Sequence, residues 1–131
     1  MSDILSQVSG LAPEVASGLA DGHPFAQPEF TFEVSTTLKL PGAEKMNGTV
    51  VLRFPNMGDD LKIERLSRAM GGGNIAHMVS TLMTCIVKAP ASWYELKPGE
   101  PRPVLNLERL PDDNALADLF LAFSEWQRTF R

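Results

Sequence analysis

An α+β fold is expected from the sequence: an antiparallel β-hairpin packed on about three α-helices, preceded by a flexible N-terminal arm. Three observations carry this expectation. Residues 29–40 alternate apolar and polar side chains with a period of two, and after Pro55 the apolar period lengthens to about 3.6. Within that second region, residues 69–87 hold no Asp, Glu, Lys or Arg, as a helix buried on more than one side requires. A chain of 131 residues, 44% of them hydrophobic, is long and apolar enough for one domain with its own core.

Residues 1–28 read as the arm. They carry Asp3, Glu14 and Asp21 but no Lys or Arg, and Gly10, Gly18, Gly22, Pro13, Pro24 and Pro28 leave room only for a short helix near Pro13–Leu19. Leu5, Val8 and Leu11 are available to dock on a partner. The N-terminus lacks the basic and apolar regions of a secretory signal, so a cytoplasmic protein is expected.

The domain is expected to span residues 29–131. Phe30, Phe32, Val34, Leu38 and Leu40 share one face of the first strand, opposite Glu29, Thr31, Glu33 and Lys39. After the breaks at Pro41-Gly42 and Asn47-Gly48, residues 49–54 resume the alternation with Val50, Leu52 and Phe54. The two strands pair as a hairpin across a long, mobile loop.

A first helix is expected near 59–70, capped by Asp59-Asp60 and directing Leu61, Leu66, Ala69 and Met70 inward. It ends at Gly71-Gly72-Gly73, a tight joint that makes the following helix its neighbour. That second helix, 74–88, starts at the N-cap Asn74, presents Ile75, Val79, Leu82 and Ile86 on one face, and stops before Pro90. It falls short of the roughly 20 apolar residues needed to span a membrane, so no membrane partner is expected.

Pro90, Pro98, Pro101, Pro103 and Pro111 then make a stiff crossover with a short strand near Val104–Glu108. Asp112-Asp113 caps a last helix, 113–129, with Leu116, Leu119, Phe120, Phe123 and Phe130 as its apolar stripe.

Chemistry is harder to find. The triple glycine lacks the lysine and Ser/Thr of a phosphate loop. One cysteine, Cys85, and two distant histidines, His23 and His77, make no zinc site, and no serine stands in a nucleophile elbow. No cofactor, metal or catalytic residue is therefore expected, and the protein reads as a binding protein rather than an enzyme. The net charge of −4 argues against a nucleic-acid partner. Candidate partner-binding residues are Trp93 and Tyr94 beside the prolines, where aromatic rings either anchor a partner or staple the crossover to the domain, and Phe30 and Phe32 on the hairpin. The outer edge of the first strand carries no proline and invites homo-oligomerisation or addition of a partner strand.

From Phe54 to Arg131 the chain resembles small tail assembly proteins of tailed bacteriophages, in particular the tail assembly chaperones. The likeness lies in Arg53-Phe54-Pro55, Asp60-Leu61-Lys62-Ile63, the glycine break, Lys88-Ala89-Pro90, the Trp93 crossover, Leu107 to Asp113, and the closing Trp126-Gln127-Arg128-Thr129-Phe130-Arg131. The resemblance implies a non-enzymatic protein of the host cytoplasm that keeps the long, aggregation-prone tape measure protein soluble during tail morphogenesis. Its alternatives are a small tail or baseplate component retained in the virion and an adaptor subunit of an unrelated bacterial complex. If the arm is separate from the fold, removing residues 1–28 leaves the melting temperature nearly unchanged; a collapse on deletion would make the arm part of the core.

Overall fold

A computed structural model describes residues 25–131. Residues 1–24 of the expected arm, and with them the short helix expected near Pro13–Leu19, lie outside the described residues. The fold is α+β. Strand β1 (Glu29–Val34) pairs antiparallel with β2 (Gly48–Arg53), running in register from Glu29 opposite Arg53 to Val34 opposite Gly48. Helices α1 (Met57–Ala69) and α2 (Asn74–Cys85) follow, then strand β3 (Ile86–Lys88), a small ribbon of β4 (Tyr94–Glu95) and β5 (Val104–Leu105), and helix α3 (Asp113–Arg128).

The sheet has the order β1-β2-β3, so the hairpin is extended by a strand where the helical pattern predicted continuation to residue 88. The chain leaves α2 at Cys85, and Ile86 takes extended backbone angles. The β-branched pair Ile86-Val87 suits a strand better than a helix end, and β2 offers it an unpaired edge. Strand β1 also stops early, at Val34 rather than residue 40. Just beyond it the Thr36 amide donates to Asn47 Oδ1 and the Thr36 hydroxyl donates to Asp112 Oδ2 at 2.5 Å, which turns the chain out of the sheet. Leu38 and Leu40, expected on the inner face, are exposed as a result. The hairpin loop is packed rather than free: it contains a 3-10 turn, Ala43–Met46, whose Ala43 and Met46 are buried.

The core lies between the sheet and the helices. Val34, Val50 and Leu52 from the sheet meet Leu82 and Cys85 of α2 and Leu116, Leu119 and Phe123 of α3. The hairpin's apolar face is covered by α3: the Phe30 ring lies 5.3 Å from Trp126 and 6.1 Å from Phe123, centroid to centroid.

The starts of α1 and α3 are fixed by side-chain caps. Asn56 caps α1 and Asp59 reciprocates, each side chain accepting a hydrogen bond from the other's backbone N–H at 2.9 Å. Asp112 caps α3 by accepting from the amides of Asn114 and Ala115. The expected cap Asn74 is instead the first residue of α2, after Gly73. Gly71, Gly72 and Gly73 all have positive φ, between 76° and 98°, as a reversal this tight between packed helices demands.

Helix α1 is turned differently from its expected phase. Its buried residues are Asp59 and Ile63, with Leu66 half-buried, while Leu61, Ala69 and Met70 are exposed. The cause is Asp59, which forms a two-pronged ion pair with Arg53 of β2; Arg53 Nη2 also donates to the Thr84 carbonyl at 3.1 Å. With Asp59 held inward, Ile63 one turn later follows it and Leu61 points away.

Hydrogen bonding by Arg53, ahead of any other cause, holds the Asp59 carboxyl below its ordinary pKa, and Asp59 in turn raises that of Arg53. The stabilisation is therefore complete above the ordinary carboxylate range and is lost as pH falls through the depressed folded value. Asp59→Asn should cost about 2–3 kcal/mol at neutral pH, since it strands a part-buried guanidinium. Urea unfolding at pH 7 should show that loss, and the gap to the parent should close in strongly acid solution; an equal gap at both would remove the ion pair as its cause. Leu82, fully buried, gives a harsher test. Leu82→Asp should abolish cooperative thermal unfolding, because an unpaired buried charge costs several kcal/mol against a total of about 5–15.

Candidate functional site

Helix α2 is buried over most of its circumference, with Ala76, Met78, Ser80, Thr81, Leu82, Thr84 and Cys85 all inside. Its first turn is only partly covered: Ile75, expected on the inner face, is 70% exposed although Ala76 beside it is buried. On α3, Leu119 and Phe123 point into the core, so Leu121, half a helical turn from each, points out and is 61% exposed. Ile75 and Leu121 border one groove. Its floor is Met78, Ala117 and Phe120, its volume is 270 Å³, and Asn74, Asp113 and Asn114 close one end.

At Phe120 this groove meets a larger open cleft of 610 Å³ between α1, α2 and α3. Ile63, Thr81 and Phe120 line its inner surface, while Asp60, Glu64, Arg68, Arg128 and Arg131 supply charge around it. Several of those charges are already matched. Arg68 pairs with Glu64 at 2.6 Å, Arg128 pairs with Glu125 at 2.9 Å, and the Arg131 guanidinium sits 5.5 Å from the centre of the Phe54 ring. Exposed pairs of this kind add little stability and exchange readily for a partner's charges. His77 lies at the boundary, edge-on to Phe120 with 6.0 Å between ring centres.

A third depression of 410 Å³ continues from Ile75 and Met78 on the other side, past Met70, Val79, Leu110 and Leu116. Together the three make a track along α2 and α3, lined mostly by apolar side chains at its middle and bordered by charged ones towards its ends. Such a track suits an apolar or amphipathic segment better than a small polar substrate.

The expected partner-binding residues are elsewhere. Trp93 is fully buried, and its indole Nε1 donates to the Met46 carbonyl at 2.9 Å. It staples the crossover to the hairpin loop, helped by Ser92 donating to the Lys45 carbonyl at 2.5 Å, and so is no surface anchor. Tyr94 is half-buried in β4, opposite Leu105. Phe30 and Phe32 are half-buried, 6.2 Å apart between ring centres, and pack towards α3. The apolar track was legible only in part. Leu121 interrupts the stripe of Leu116, Leu119, Phe120 and Phe123 and reads as an outward residue on a helical projection, whereas Ile75 continues the inner face of α2 and gives no such signal.

Among the described residues, no three of His, Cys, Asp and Glu gather closely enough to hold a metal ion. The Cys85 thiol is buried, and burial pushes its pKa up to about 12, which leaves it a core side chain with little thiolate character. The Asp112 carboxyl is held below its ordinary pKa chiefly by the Thr36 hydroxyl, with the capped amides adding to it. That assigns Asp112 to structure. No helix among the described residues is long and apolar enough to cross a membrane. Comparison with protein-family models, curated proteins and solved structures finds no match to this chain.

Proposed function

We propose that the chain is a non-enzymatic phage tail assembly protein, a chaperone that binds the tape measure protein during tail morphogenesis. The resemblance from Phe54 to Arg131 supplies the class. The observation that supports a holding role is the apolar track on α2 and α3, where Ile75 and Leu121 stay exposed on either border of one groove. The two exposed aliphatic side chains border the same apolar groove, so a segment laid into it would bury both. An amphipathic helix fits best, with apolar side chains on Met78, Ala117 and Phe120 and polar ones over Asp113 and the arginines.

In this reading the partner is held by burial and not by reaction. Binding is strong enough to mask an aggregation-prone segment and weak enough to release it when tail tube subunits arrive. The test is co-expression of a tape measure segment with the parent and with Ile75→Glu/Leu121→Glu. Both sites are exposed, so the double variant should melt within a few degrees of the parent. Soluble, co-purified segment should fall about tenfold or more, as expected when central apolar contacts are lost. Equal recovery with both proteins would reject the track as the holding surface. Mass spectrometry of purified particles should lack the chain; its presence there would move the assignment to a structural tail or baseplate component.

A further inference from the structure

A second surface lies on the sheet, away from the helical track. The Phe54 amide donates to the Pro28 carbonyl, in step with the β1–β2 register, so the even-numbered residues of β1 direct their backbone groups at β2. The backbone N–H and C=O of Glu29, Thr31 and Glu33 therefore point outward, where no described strand receives them. All three side chains are exposed, and between them the half-buried Phe30 and Phe32 face α3. Such an edge is a template for one more strand.

Charge favours a basic strand at this edge. In a two-fold antiparallel pairing of two copies centred on Thr31, Glu29 of each copy would lie opposite Glu33 of the other, and like charges directly opposed are destabilising. The chain's own residues 1–24 carry Asp3, Glu14 and Asp21 and no Lys or Arg, so they match the edge no better. Arg53, opposite Glu29 on β2, is engaged by Asp59 and does not neutralise it. We infer that the β1 edge takes an extended segment of a partner protein with Lys or Arg at two positions four apart, a β-branched residue midway, and apolar residues in between. The cations would face Glu29 and Glu33, the central residue Thr31, and the apolar pair would extend the Phe30–Phe32 face. This goes beyond the tape measure reading and does not depend on it, since it uses none of the track residues.

Fluorescence anisotropy of labelled peptides on the full chain tests it. The probe carries Lys-Val-Thr-Val-Lys between Gly-Ser flanks; its controls are Glu-Val-Thr-Val-Glu and a same-charge scramble, Val-Lys-Lys-Val-Thr. The alternating basic peptide should bind at least tenfold tighter than either control. Glu29→Lys/Glu33→Lys should invert the preference between the basic and acidic peptides. Thr31→Pro removes an outward donor without touching the β1–β2 ladder, so it should weaken the basic peptide at least tenfold with little change in melting. If that proline unfolds the domain, the charge-reversal pair still decides. Equal affinity for the basic peptide and its scramble would overturn the proposal. So would concentration-dependent dimerisation abolished by Thr31→Pro, which would give the edge to a second copy, or tighter peptide binding after removal of residues 1–24, which would give it to the chain's own N-terminal segment.

Discussion

The ion pair between Arg53 and Asp59 is the junction from which the rest of the domain takes its geometry. Arg53 ends β2, Asp59 sits in the first turn of α1, and the same guanidinium reaches the Thr84 carbonyl one residue before α2 ends. One side chain thus joins the central strand to the start of one helix and the end of the next. Asp59 simultaneously serves the capping box of α1, so losing it loosens the helix start as well as the pair. Because Thr84 is held beside β2, the chain leaving α2 is already alongside that strand, and β3 forms where it emerges. A parallel arrangement fixes the far side of the domain, where Asp112 caps α3 and accepts the Thr36 hydroxyl from the segment leaving β1.

Helix α2 shows how a helix can be enclosed without being uniformly apolar. Ser80, Thr81 and Thr84 are buried along with Leu82 and Cys85. Thr81 donates back to the His77 carbonyl at 2.8 Å, and the Ser80 hydroxyl lies 3.7 Å from the Met70 sulfur. Small hydroxyl side chains allow α1 and the sheet to approach closely, and back-bonding within the helix removes much of the cost of burying them. Among the described residues Thr84 Oγ1 finds no hydrogen-bond partner, close to the Arg53 junction.

Much of this architecture was legible in residue order. The period change at Pro55, the triple-glycine joint, the acids before α3 and the pairing of the hairpin are local signals, and local physics decides them. What residue order concealed was decided by contacts distant in sequence. Ile86-Val87-Lys88 carries no breaker to mark the end of α2, and becomes a strand because β2 has an edge to fill. The phase of α1 follows Asp59 rather than the summed apolar pattern that favoured Leu61. Trp93 among prolines reads equally as anchor or staple until its indole N–H is found on the Met46 carbonyl. The apolar track was least legible, because Ile75 looks like core on a helical projection of α2 yet stands 70% exposed beside a groove that α3 helps to build.

The triple-glycine joint carries a stereochemical consequence. A methyl group at Gly71, Gly72 or Gly73 would meet no atom within 4 Å, so the joint has room for side chains. What it refuses is handedness: with φ at 98°, 76° and 92°, these positions disfavour L-residues on backbone grounds alone. A mirror-image residue reverses that preference. D-alanine placed at Gly72 by chemical synthesis would sit in its native angles while narrowing the choices open to the unfolded chain, so it would strengthen a joint that L-alanine weakens. The reversal between α1 and α2 thus excludes L-handedness rather than size, and among the encoded residues only glycine meets that condition without cost.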